Sequence, residues 1–137
     1  MDLQPYLIFN GRCEEAIEFY REALGAEVRM MLRFKDSPEP PRPGMHPPGV
    51  EEKIMHANLR IGDSTMLVSD GRCTGATKFE GISLTLIVNS EAEADKAFSA
   101  LAAGGQVQMP LAKTFFSPRF GMVSDRFGVM WMVYVGA

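Results

Sequence analysis

The sequence is poor in the residues that most often announce a chemistry. It has two cysteines, two histidines and one tryptophan among 137 residues. Cys13 and Cys73 stand far apart, with no CxxC spacing and no histidine beside them. That pattern argues against a zinc site or a disulfide framework and leads us to expect two free thiols in a reducing compartment. There is no basic excess either. Fourteen Lys and Arg face seventeen Asp and Glu, for a net charge of −3, and the cations are scattered. The electrostatic footprint of a nucleic-acid binder is missing. No apolar run approaches the roughly 20 residues of a membrane span. The N-terminus lacks the basic-then-apolar pattern of a secretory signal. A cytoplasmic protein with neither a nucleic-acid nor a membrane partner is the expectation. No glycine-rich strand-to-helix turn of the kind a nucleotide-type cofactor needs is visible, and no cofactor is expected.

What is present is ordered. Leu3 to Phe9 is an apolar and aromatic run suited to a buried strand, and Asn10-Gly11 breaks it. From Cys13, apolar residues at Ala16, Ile17, Phe19, Tyr20 and Leu24 line one helical face opposite Glu14, Glu15, Glu18, Arg21 and Glu22, and Gly25 stops the helix. Ala26 to Phe34 predicts a second strand. Residues 36–52 hold six of the nine prolines and two glycines, which forbids regular structure and marks a long loop, a candidate lid or dimer arm. Lys53 to Ile61 alternates, with Met55, Ala57, Leu59 and Ile61 on one face and Ile54, His56, Asn58 and Arg60 on the other. Gly62-Asp63 turns the chain into Thr65 to Ser69. Near the end, Phe120 to Ser124 and Val129 to Val135 form the arms of a hairpin whose turn is Asp125 to Gly128.

The chain repeats itself. A shift of 79 residues places Leu7 on Leu86, Ile8 on Ile87, Asn10 on Asn89, Glu14 on Glu93, Phe19 on Phe98, Ala23 on Ala102, Gly25 on Gly104, Val28 on Val107 and Met30 on Met109. The order strand, helix, strand, hairpin repeats with it. The expected architecture is one α+β domain of two tandem βαβββ modules, 1–70 and 81–137, joined by a polar connector, 71–80. Each module is a sheet with a helix on one face, so the two are expected to pair and form a cup-shaped mixed sheet.

Three stretches carry a family resemblance. They are Pro5-Tyr6-Leu7-Ile8-Phe9-Asn10-Gly11 with Glu15-Ala16-Ile17-Glu18-Phe19-Tyr20, then Lys53-Ile54-Met55-His56-Ala57, then Arg119-Phe120-Gly121 through Trp131-Met132. Together with the repeat they resemble the vicinal oxygen chelate superfamily (the glyoxalase/bleomycin resistance/dioxygenase fold). Within it they are most similar to the PhnB-like branch, also labelled 3-demethylubiquinone-9 3-methyltransferase-like. The resemblance implies a homodimer, since modules in this superfamily often pair across chains. It also implies metal-ligand positions in the first and last strand of each module. Carried over, these fall on Gln4 (or Pro5), on Leu67 (or Ser69), on Ser83 and on Met132. None suits a divalent ion that wants imidazole, carboxylate or thiolate, so no metal is expected and metal-dependent glyoxalase or dioxygenase chemistry is disfavoured.

Strand alternation then suggests what faces the cup: Gln4, Tyr6 and Ile8; His56 and Asn58; Ser83, Thr85 and Ile87; and Met130, Met132 and Tyr134. Gln4, Tyr6, His56, Asn58, Ser83, Thr85, Met132 and Tyr134 are the candidate ligand-binding residues for a small, partly apolar molecule. His56 is the candidate catalytic residue if there is one. As a base it needs an orienting partner, and the plainer alternative is a histidine bonded to Asn58 or to backbone. The second reading is a metal-dependent lyase or dioxygenase with a non-standard site around His56. His46 is expected in solvent, Tyr6 and Tyr134 as packing groups, Arg119 and Asp125 as an ion pair or turn cap, and the methionines as core filler.

Overall fold

Strand β1 is Tyr6–Ile8, shorter than the apolar run suggested, and it pairs in parallel with β4, Ser64–Ser69. Ladder bonds from Leu67 N to Pro5 O (2.9 Å) and from Phe9 N to Ser69 O (2.8 Å) close both ends, and Leu3 beyond them is exposed. Helix α1 spans Cys13–Leu24 and buries Ala16, Ile17, Phe19 and Tyr20, the face its periodicity predicted. Burying each large side chain there contributes about 2 kcal/mol. Gly25 ends the helix at φ 65°, returning its N–H to Arg21 O at 3.1 Å, a conformation that costs glycine nothing. Strands β2 (Glu27–Arg33) and β3 (Ile54–Ile61) complete a four-stranded sheet in the order β1-β4-β3-β2.

The computed structural model describes residues 1–39 and 44–136. The loop expected over 36–52 therefore lies partly outside the described residues. On its described part, His46 is not simply solvated. Its ring packs against Phe34 with centroids 4.3 Å apart and planes tilted by 55°, and its Nε2 lies 3.2 Å from Gly71 O, tying the loop to the segments that follow β2 and β4.

The second half repeats the plan. Strand β5 (Leu84–Val88), helix α2 (Glu91–Ala102) and strands β6 (Gln106–Ala112), β7 (Phe120–Ser124) and β8 (Met130–Val135) form a sheet in the order β5-β8-β7-β6. Ser90 caps α2 by accepting from Glu93 N at 3.1 Å. Pro110 is tolerated in β6 because that strand is an edge. Among the described residues the fold is α+β: two mixed four-stranded sheets, each with one α-helix, and a short 3-10 turn at Phe34–Asp36 after β2. The chain divides into two compact units, Met1–Thr77 and Lys78–Ala137, and the division falls in the polar connector.

Bulges adjust the strand alternation. Between the pairs Val28–Leu59 and Met30–Asn58, β2 carries an extra residue at Arg29, and β6 does the same at Gln108, the equivalent position in the repeat. A further bulge in β3 lies between Leu32–His56 and Arg33–Ile54. It reverses the parity of Ile54, which alternation assigned to the face of His56. Ile54 is fully buried with Ala57 and Leu59 instead. An extra residue in one strand moves everything beyond it to the opposite face.

Candidate functional site

Within each unit, and among the described residues, the sheet has one face covered by its α-helix and one face that this helix does not cover. In the first unit the covered side holds Leu7, Ala57, Leu59, Met66 and Val68, all buried. The open side carries a cross-strand row of Tyr6, Leu67, Asn58 and Met30, given by the pairings Tyr6–Leu67, Leu67–Asn58 and Asn58–Met30. Ile8 and Ser69 form part of the next row, and His56 pairs with Leu32 there. Tyr6, Ile8 and Met30 are all exposed, Tyr6 at 47 %.

The decisive local contact joins Tyr6 to His56. The tyrosine hydroxyl lies 2.8 Å from His56 Nδ1, with ring centroids 5.5 Å apart and planes tilted by 40°. Fifty residues of chain separate the two, so strand pairing alone brings them together. The histidine thus has an orienting partner that the sequence did not reveal. That partner is a tyrosine from β1, not the Asn58 neighbour two places along its own strand.

Gln4 lies ahead of β1 and its amide donates to Asp2 at 2.8 Å. Ser69 is buried, donating to Met55 O at 2.7 Å and accepting from Gly71 N at 2.8 Å.

In the second unit the covered side is Trp131, Val133, Val135 and Val123, buried with Phe98 and Leu101 of α2. The open side carries the row Thr85, Met132, Met122 and Met109. Ile87, Tyr134 and Phe120 form the next row, and Met130 pairs with Ser124. Phe116 packs edge-on against Phe120 at 5.2 Å and Tyr134 at 5.9 Å. The methionines of this row are therefore not core filler. Met109 is 45 % exposed, and Met122 and Met132 are half-buried. Ser83 stands just before β5 and is half-buried.

The metal-ligand positions carried over from the superfamily hold an amide at Gln4, hydrocarbon or a committed hydroxyl at Leu67 or Ser69, a hydroxyl at Ser83 and a thioether at Met132. That donor set does not fit a hard or borderline divalent ion. Among the described residues of each unit, no three His, Cys, Asp or Glu side chains group closely enough to hold a metal.

Of the two buried aspartates, Asp125 is expected from sequence as a turn cap or ion-pair member, and Asp70 is not singled out. Asp70, at the end of β4, accepts from Gly11 N (2.6 Å), Cys13 N (2.9 Å) and Ile54 N (2.8 Å). It supplies the start of α1 with the cap that Arg12 does not provide, and puts a negative charge where the helix dipole favours one. Asp125 accepts from Phe127 N (2.9 Å), Val129 N (3.0 Å) and Trp131 Nε1 (2.9 Å), as a turn cap with an added indole. Arg119 meets Asp95 at 3.4 Å and Glu91 at 3.6 Å, on α2. Burial, then the Asp70 carboxylate, push the Cys13 thiol well above its ordinary value, which removes it as a nucleophile.

Residues 1–134 match the model of the family described as 3-demethylubiquinone-9 3-methyltransferase. The chain belongs to that family. Its sequence is 36 % identical to protein YjdN of Escherichia coli K12 across 98 % of this chain and 95 % of that protein. Among solved structures, it is similar to protein PA1353 of Pseudomonas aeruginosa, at 45 % identity and TM-score 0.85, covering 99 % of this chain and 98 % of that one. A PhnB protein of Bacillus cereus, described as a putative 3-demethylubiquinone-9 3-methyltransferase, matches at 27 % identity and TM-score 0.80 over 99 % of this chain and all of that one. The fosfomycin resistance protein FosX of Listeria monocytogenes, at 13 % identity and TM-score 0.66 over all of this chain and 93 % of that one, shares the fold alone. This PhnB-like family member thus has the vicinal oxygen chelate fold.

Proposed function

We propose that this PhnB-like protein binds a small, partly apolar molecule on the open faces of its sheets, without the metal centre of its superfamily. The observation that carries the reading is the open face of the first sheet. There exposed Tyr6, Ile8 and Met30 surround a paired histidine and an amide, a mixture of apolar wall and directional donors that suits a ligand. Taken by itself, the second sheet's open face carries Thr85, Met132 and Tyr134 with further methionines, whose flexible thioethers adapt to irregular apolar shapes. Gln4, ahead of β1, and Ser83, ahead of β5, sit at the margins of these faces.

The methyl transfer in the family description is not carried over to this chain, whose strand-to-helix turns lack the glycine pattern of nucleotide-type cofactor sites. The two free cysteines suit a reducing, cytoplasmic setting. A homodimer is part of the proposal, and light scattering showing a monomer at micromolar concentration would remove it.

Thermal shift against small acids, aldehydes and aromatic compounds, combined with metal analysis of the purified protein, tests the binding reading. Stabilisation by an organic ligand, with no stoichiometric metal, is expected. A tightly held metal ligated through His56 would replace the proposal with a metal-dependent lyase or dioxygenase.

A further inference from the structure

In its neutral form an imidazole has one donor and one acceptor nitrogen, and its partner decides which is which. A phenol is the stronger donor of the two groups, and an imidazole nitrogen lone pair is the stronger acceptor. The 2.8 Å contact between the Tyr6 hydroxyl and His56 Nδ1 is therefore best satisfied with Tyr6 donating. Nδ1 is then the acceptor, and the proton of the neutral ring resides on Nε2, the end remote from the backbone. So held, the neutral ring does not present a base at Nε2. It presents a hydrogen-bond donor.

The surroundings say what such a donor would meet. Asn58 lies two residues along β3 on the same face, about 7 Å away by strand geometry. Leu32 and Met30 stand beside these two residues on β2, and Ile8 flanks them from β1. The charges near this face are engaged locally. Arg60 turns to Gly62 O at 2.9 Å and to Asp63 at 3.4 Å, and Glu27 pairs with Arg29 at 3.4 Å. A donor beside apolar side chains and an amide selects an acceptor oxygen on an uncharged skeleton. We infer that Tyr6 is a positioning residue that holds His56 as an Nε2–H donor, and that His56 with Asn58 recognises the carbonyl oxygen of a neutral ketone-type ligand. The inference rests on the binding reading above and names its ligand class.

Selective ¹⁵N labelling of histidine in the 137-residue chain, with His46→Asn to assign the two rings, reads the tautomer directly, and ¹⁵N-asparagine labelling reports the Asn58 side chain. The expected result is Nε2–H at His56 in the neutral ring, giving way to a tautomer mixture in Tyr6→Phe. Acetophenone is the ligand probe, with α-methylstyrene as its isostere lacking the oxygen and benzoate as its charged counterpart. Acetophenone should shift the His56 Nε2 and Asn58 side-chain signals and bind more tightly than either comparison compound. Tyr6→Phe should weaken it about two- to tenfold, the worth of one neutral hydrogen bond. An Nδ1–H tautomer in the unmodified protein overturns the inference, as does benzoate binding at least as tightly as acetophenone. If α-methylstyrene matches acetophenone on the open face, general binding stands and carbonyl recognition falls. If no probe shifts any open-face signal, both fall.

Discussion

The indole Nε1 of Trp131 donates to the carboxylate of Asp125 at 2.9 Å, across the turn that joins β7 to β8. The same carboxylate holds Phe127 N and Val129 N, so one buried side chain fixes the turn and anchors the single tryptophan beneath the sheet. Asp125→Ala would leave three buried donors without this acceptor. A loss of about 3 kcal/mol or more is expected. Urea unfolding followed by Trp131 fluorescence measures it, and a loss under 1 kcal/mol would show that water takes over the carboxylate's role.

Asp70 does the corresponding work in the first unit by a different route, tying the entry of α1 to the ends of β3 and β4. Replacing it with Asn puts an amide NH₂ in conflict with one of three backbone donors. Faster hydrogen exchange at Gly11, Cys13 and Ile54 is expected, with a global loss of about 2 kcal/mol. Unchanged exchange at those three amides would refute the assigned role.

Glycine at 121 is a packing requirement. A Cβ there would stand 2.8 Å from Phe98 Cε2 and 3.0 Å from both Leu111 Cδ2 and Met109 O. Gly121→Ala should cost about 1–3 kcal/mol by pushing α2 away from β7. At Gly128 a Cβ meets nothing within 4 Å, but φ is 86°, so Gly128→Ala strains the backbone without disturbing the core. Chemical-shift changes at Phe98 and Leu101 should follow the first substitution and not the second.

Cys13 makes stability fall at alkaline pH. Its thiol is pushed upward from 9.0 by burial first and by Asp70 second, so the folded protein retains a proton that the unfolded chain gives up. The unfolded state binds fewer protons above about pH 9, and unfolding free energy therefore declines with rising pH there, by at most about 1.4 kcal/mol per pH unit for one group. Below that range this group contributes no pH dependence. Denaturation measured from pH 8 to 10.5 under reducing conditions should show the decline, and Cys13→Ala should flatten it. An equal slope in the variant would assign the effect elsewhere.

The sequence alone determined the architecture. The internal repeat, the period of the two helices and the Asp125–Gly128 turn are local or self-comparing signals, set by side-chain chemistry at fixed spacing. They specified two βαβββ modules and most element ends. Strand alternation also placed Tyr6, Thr85 and Met132 on the faces away from the helices, because side chains alternate wherever the ladder is regular.

Only the tertiary structure decided the rest. The bulge that buries Ile54 arises from the pairing of two strands, and no single strand announces it. Asp70 looks like an ordinary turn residue until three backbone N–H groups from distant segments converge on it. His46 is half-buried because Phe34 and Gly71 are there to receive it. Tyr6 and His56 meet because a parallel strand and an antiparallel one share a neighbour in β4. Spacing along the chain carries the periodicity of an element, while contacts between elements depend on register, and register is fixed only when the whole sheet assembles.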